Sequence, residues 1–105
     1  MTKAEKFFHQ IADELPNGTE SKMFGAMCIK AINGKSSAIF WKDEMIFKLN
    51  SADEKKALKL KGTRQGTHLY APDRPMKGWV VIPFIHSSKW AAFAKKSIAF
   101  VQTDK

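Results

Sequence analysis

Met23-Phe24-Gly25, Asn33-Gly34-Lys35 and Met45-Ile46-Phe47-Lys48-Leu49-Asn50 are the pieces of sequence that decide the fold. An Asn-Gly pair between alternating apolar runs is the strongest short-range signal of a β-hairpin. Lys22–Ile32 therefore reads as a first strand, with Met23, Gly25, Met27, Ile29 and Ala31 on one side and Phe24, Ala26, Cys28 and Ile32 on the other. Both sides are largely apolar, which is expected of a strand covered on both faces. Gly25 reads as a bulge or a close backbone approach. Ser37–Trp41 is the second strand, Lys42-Asp43-Glu44 a polar turn, and Met45, Phe47 and Leu49 alternate with Ile46, Lys48 and Asn50 in the third.

Outward from this meander the spacing predicts a helix over Lys3–Leu15. Thr2-Lys3-Ala4-Glu5 has capping-box spacing, and Ala4, Phe8, Ile11 and Leu15 share a face, with Phe7 and Ala12 at its edges, before Pro16-Asn17-Gly18. Ser51-Ala52-Asp53-Glu54 has the same capping spacing and starts a short helix through Ala57, Leu58 and Leu60, closed near Gly62. Thr63-Arg64-Gln65-Gly66 reads as a loop, Thr67–Tyr70 as a short strand, and Ala71-Pro72-Asp73-Arg74-Pro75 as a turn. Gly78–Ile82 is a strand ended by Pro83. A last helix runs from Ser87 or Ser88 to Val101, with Trp90, Ala91, Ala94, Ile98 and Val101 as its apolar stripe. The expected order is α-β-β-β-α-β-β-α. This is an α+β fold in which helices pack on one face of a single, antiparallel-rich sheet.

At 105 residues, 44% of them hydrophobic, residues 1–105 read as one domain that buries roughly two-thirds of its unfolded surface. One cysteine, Cys28, excludes an internal disulfide. With no signal-peptide pattern and no long apolar run, the expected location is the cytoplasm and no membrane partner is expected. The net charge of +8 is uneven: residues 1–50 carry seven Lys against six acids, whereas residues 51–105 carry eleven basic residues against four acids. Such asymmetry marks a surface for an acidic partner or a nucleic acid. Only Arg64 and Arg74 are arginines, however, and lysine serves equally as a plain solvating charge.

Chemistry-bearing residues are scattered. His9, His68 and His86 have no metal-ligand spacing, and Cys28 sits in an apolar strand where a thiolate is disfavoured. Ser87-Ser88 reads as a helix cap rather than a nucleophile. Gly62-Thr63-Arg64-Gln65-Gly66 lacks the Gly-Lys-Ser/Thr ending of a phosphate loop. No catalytic residue, cofactor or metal is expected. The basic group Lys55, Lys56, Lys59, Lys61 and Arg64, followed by Arg74 and Lys77, is the candidate binding surface. Lys55 and Lys59 share a helix face with Lys56 beside them. Trp79 and Tyr70 are stacking aromatics if the ligand is single-stranded nucleic acid. Phe40-Trp41 at the end of the second strand is a candidate patch for a partner or a second copy, although alternation sends the two rings to opposite faces.

The ordered set Met23-Phe24-Gly25, Asn33-Gly34-Lys35, Phe47-Lys48-Leu49, Met76 with Trp79 and Pro83, and Trp90-Ala91 with Ala94 resembles the TfoX (Sxy) N-terminal domain from about Ser21 to Val101. The resemblance implies a fold like that of type III secretion chaperones and a regulatory, non-enzymatic role without a cofactor. Two-domain members promote competence-gene expression together with the cAMP receptor protein. A stand-alone N-terminal domain is implied here, without the helical C-terminal domain. Gly25-Ala26-Met27 and Gly78 depart from residues common in the family at those positions. The partner expected is a protein such as a transcription factor or a second copy of the chain. Direct binding of DNA or RNA through the basic half is the alternative.

Overall fold

A computed structural model describes residues 2–23, 25–68 and 71–103. Its elements are α1 (Lys3–Glu14), β1 (Thr19–Met23), β2 (Ala26–Lys30), β3 (Ser36–Trp41), β4 (Glu44–Lys48), α2 (Ser51–Leu58), β5 (Arg64–His68), β6 (Ala71–Ile82), a 3-10 helix (Phe84–Lys89) and α3 (Trp90–Thr103). The six strands form one antiparallel sheet in the order β1-β2-β3-β4-β6-β5. The fold is α+β, as the sequence pattern predicts.

The observed order, α-β-β-β-β-α-β-β-α, contains one strand more than expected. Lys22–Ile32 is not a single strand. Met23 pairs with Ala26, which closes a hairpin between β1 and β2, and Gly25 takes φ +79° there. Glycine adopts that left-handed conformation without a Cβ clash. Gly25 is thus the corner of a hairpin rather than a bulge, and Phe24 itself lies outside the described residues. Ile32, expected inside, is exposed in the β2–β3 turn. The β3–β4 corner is tighter: Trp41 pairs with Glu44, and Lys42 and Asp43 both take positive φ.

The sequence around the prolines also behaves differently from expectation. Residues 71–75 are the start of the twelve-residue β6, not a turn, and Arg64 and Gln65 belong to β5, not to a loop. β4 pairs with β6 only over Trp79–Ile82. The earlier part of β6 pairs with β5 alone, so Pro72 and Pro75 sit where one side of the strand needs no N–H donor. Gln65 Nε2 donates to the carbonyls of Met76 (2.7 Å) and Trp79 (3.1 Å). Leu69 and Tyr70 lie outside the described residues.

The helices cover one face of the sheet. Ala4, Phe8, Ile11 and Ala12 of α1 with its C-cap Leu15, Ala57 of α2 and Trp90, Phe93, Ala94 and Ile98 of α3 enclose Ile29, Ala38, Phe40, Met45, Phe47, Val80 and Ile82. Burying a side chain such as Phe8 or Phe47 contributes about 1.5–3 kcal/mol. Trp90 Nε1 donates to the Ile82 carbonyl at 3.1 Å, which satisfies the one polar atom of that buried ring. The other face carries a smaller cluster of Ala26, Cys28, Ile39, Ile46 and Val81, with Trp41 and Trp79 packed against it. Phe40 and Trp41 therefore face opposite ways, as alternation requires.

Helix ends follow local chemistry. The Thr2 hydroxyl accepts from Glu5 N (3.1 Å) at the start of α1. The α2 cap is Asn50, one residue earlier than the Ser51 box suggests, with its side-chain oxygen accepting from Asp53 N at 2.8 Å. Asn50 is extended and its short amide reaches the free donor equally well. Ser87 and Ser88 do not cap α3. They lie within the 3-10 helix, whose own cap position is Pro83.

Candidate functional site

α2 is eight residues long and only Ala57 on it is fully buried. Leu60, just beyond its end, packs against the core. A short helix held by one small side chain and a cap presents most of its surface to solvent. Lys55, Lys56 and Lys59 are exposed on it and at its C-cap, and Lys61 is exposed in the following turn. Among the described residues none of these four ammonium groups forms an ion pair. Over residues 55–61 all four of these candidate lysines are therefore open to solvent.

The other candidates separate from it. Arg64 opens β5 and is held in a bidentate pair with Glu44, at 3.1 and 2.7 Å. The hydrogen bonds to that carboxylate raise the guanidinium pKa further, against a smaller opposing effect of burial. Arg64 is thus engaged within the chain. Arg74 is exposed on β6, in the part paired with β5 alone. Lys77 is exposed further along β6, and its carbonyl accepts from Lys48 Nζ at 2.9 Å. Lys48 and Lys77 line a cleft of about 510 Å³ with Ser51 and Glu54 of α2, Gly78 and Phe100. Gly78 takes φ +86°, and a Cβ there would lie 2.8 Å from Lys48 Nζ. The cleft faces the N-terminal end of α2, so Lys77 lies apart from the lysines at and beyond the C-terminal end of that helix. Trp79 is half-buried, with Gly66 pressed against it so closely that a Cβ on Gly66 would meet the Trp79 carbonyl at 2.9 Å.

Two residues absent from the sequence-based site stand beside the lysines. Leu58 is 41% exposed, and Ile85 in the 3-10 helix is 81% exposed. The two segments are clasped: His86 Nε2 donates to the Lys61 carbonyl at 2.7 Å, and the Pro83 ring lies 3.6 Å from where a Gly62 Cβ would be. Because the partner is a carbonyl, the proton of His86 resides on Nε2. Phe84, next to Ile85, is half-buried and packs at a tilt against Phe7 and Trp90, with centroids 6.5 and 5.6 Å away. The signal for Leu58 was available, since it lies three residues from Lys55 on an outward face. Ile85 gave none, because Val80-Val81-Ile82-Pro83-Phe84-Ile85 reads as one apolar run.

The remaining reactive groups lie elsewhere. The Cys28 thiol is buried, and burial pushes its pKa up against smaller opposing effects of the Ser36 hydroxyl and Lys30. His9 lies between two carboxylates, with Nδ1 hydrogen-bonded to Glu20 and Nε2 3.6 Å from Glu5. That contact ties the edge strand β1 to α1. His68 ends β5. Among the described residues no group of three or more His, Cys, Asp or Glu is placed to hold a metal ion. No helix among them is long and apolar enough to cross a membrane. No family model, curated protein or solved structure matches this chain.

Proposed function

We propose that this chain is a non-enzymatic regulatory domain that acts by binding another protein, in the manner implied by its resemblance to the TfoX N-terminal domain. A transcription factor in the cytoplasm is the partner class this reading favours, and a role as a competence or transcription co-regulator goes with it. The observation that carries it is the unpaired basic surface of Lys55, Lys56, Lys59 and Lys61. Charge left uncompensated within the chain is available for a complementary partner, where it raises the association rate and selects against wrong partners.

Direct binding of DNA or RNA draws on the same lysines and is the second reading. The engagement of Arg64 with Glu44 and the half-burial of Trp79 weigh against it, because a planar cation and an open ring are what base and phosphate recognition use best. Fluorescence anisotropy of labelled duplex and single-stranded DNA, at low and near-physiological salt, separates the two. Weak binding that vanishes with salt is expected. Tight binding near physiological salt that is lost in the Lys55→Glu, Lys56→Glu, Lys59→Glu triple variant would replace the protein-binding reading with the nucleic-acid one.

A further inference from the structure

The C-terminal end of α2 and the adjoining 3-10 helix carry two features that bear on binding. One is a set of lysines, Lys55, Lys56, Lys59 and Lys61, which form no ion pair among the described residues although Asp53 and Glu54 precede them on the same helix. Among the described residues, the ion-paired acids near α2 are Asp53, held by Lys96 at 3.5 Å, and Glu44, held by Arg64. The other is a pair of exposed aliphatic side chains, Leu58 and Ile85. Exposed large hydrophobics among the described residues are Ile32, Leu58 and Ile85, so two of the three fall beside this one basic turn. The bond from His86 to the Lys61 carbonyl holds the two segments together, with the Pro83 ring beside Gly62.

We propose that this surface docks an acidic amphipathic segment of a partner protein, with Leu58 and Ile85 receiving its apolar residues and Lys55, Lys59 and Lys61 its carboxylates. The proposal rests on the protein-binding reading above and names the chemistry of the partner. Apolar anchors inside a charged rim are the usual anatomy of a protein interface. An amphipathic helix laid in such a surface reads as apolar residues at i, i+3, i+4 and i+7 flanked by Asp and Glu. A nucleic acid matches the charge but not the anchors, since aliphatic side chains offer no stacking face. A second copy of the chain fails on charge: the lysines of one surface would meet those of the other.

The test uses three fluorescein-labelled probes against the full chain: a designed helix of Glu and Leu with Leu at i, i+3, i+4 and i+7, a Glu-Ser peptide of equal length and charge, and oligo-dT. The Glu-Leu helix is expected to bind most tightly and to weaken about tenfold or more in the Leu58→Ser, Ile85→Ser variant, the loss that uncovering buried aliphatic surface predicts. The Lys55→Glu, Lys59→Glu, Lys61→Glu variant should abolish binding of both peptides. Ile85→Ser alone, at a residue that is 81% exposed, supplies a variant in which folding is not at stake, and it should weaken the helix several-fold. Equal affinity for the two peptides, or helix binding indifferent to both serine variants, would overturn this surface while leaving the protein-binding reading in place. No peptide binding would also overturn it. Tighter binding of oligo-dT than of either peptide, indifferent to Ile85→Ser, would overturn the surface and the protein-binding reading together.

Discussion

The two faces of the sheet are built from the same four central strands but solve the problem of leaving water differently. Toward the helices the strands send large side chains, Phe40, Met45, Phe47 and Ile82, which meet Phe8, Phe93 and Trp90. Away from them the strands send Ala26, Cys28, Ile39, Ile46 and Val81, and the broad residues Trp41 and Trp79 stand against this cluster. The first face interlocks bulky groups from separate elements. The second closes a small apolar centre with the flat and long side chains of its own strands. The difference teaches that burial alone does not define a packed layer. Phe47 and Ile46 are neighbours in sequence and both are buried, yet Phe47 is enclosed by side chains of separate elements and Ile46 by side chains of its own sheet.

The largest expected effect tests this directly. Phe47→Ala should cost about 3–5 kcal/mol, because rings fixed by α1 and α3 cannot follow into the void. Its neighbour Ile46→Ala should fall near the low end of the range of about 2–5 kcal/mol for such deletions, because adjacent side chains can fold over the gap. Urea unfolding of both variants measures the gap between them. Equal losses would mean that the second face is as rigid as the first.

A smaller effect belongs to the second face alone. The buried Cys28 thiol has a pKa raised by desolvation. The folded state thus resists losing that proton more than the unfolded state does. Its contribution to stability is complete below the ordinary thiol range and is lost as pH rises through the raised value. Stability measured by denaturant from neutral to alkaline pH should decline more steeply in the wild type than in Cys28→Ala. Parallel slopes would show that the thiol titrates normally and that water reaches this face.

Much of this comparison was legible in the sequence, and the misses share a cause. The alternation of Met45 to Leu49 assigned both faces of β4 correctly, and the spacing of Ala4, Phe8, Ile11 and Leu15 assigned the buried side of α1. Lys55, Lys56 and Lys59 were legible as an exposed group from helical spacing alone. The extra hairpin was not, since Phe24-Gly25 lacks an Asn or Asp before the glycine and its flanks read as one strand. The β5–β6 ribbon was hidden by Pro72 and Pro75, whose tolerance depends on β4 stopping short beside them. The segments that carry Leu58 and Ile85 lie alongside only because His86 bonds to the Lys61 carbonyl in the turn after α2. Each miss turned on which distant segment lies alongside, a property that local periodicity does not carry.

The smallest effect concerns the ion pair at the rim of the second face. Glu44 is on β4 and Arg64 on β5, so their two hydrogen bonds reach across β6. The Arg64 side chain is 57% exposed and that of Glu44 25%, which places the pair in water's reach and limits what it contributes. A double-mutant cycle with Glu44→Gln and Arg64→Gln should give a coupling of about 0.5–1 kcal/mol, the upper part of the range for exposed pairs because the geometry is bidentate. That coupling should shrink as salt is added. A coupling of that size would mean that the second face is held mainly by its apolar centre, with the ion pair as a rim. A coupling indistinguishable from zero would mean that Arg64 exchanges freely with solvent, and its charge would then join the lysines of residues 55–61 in whatever partner that surface meets.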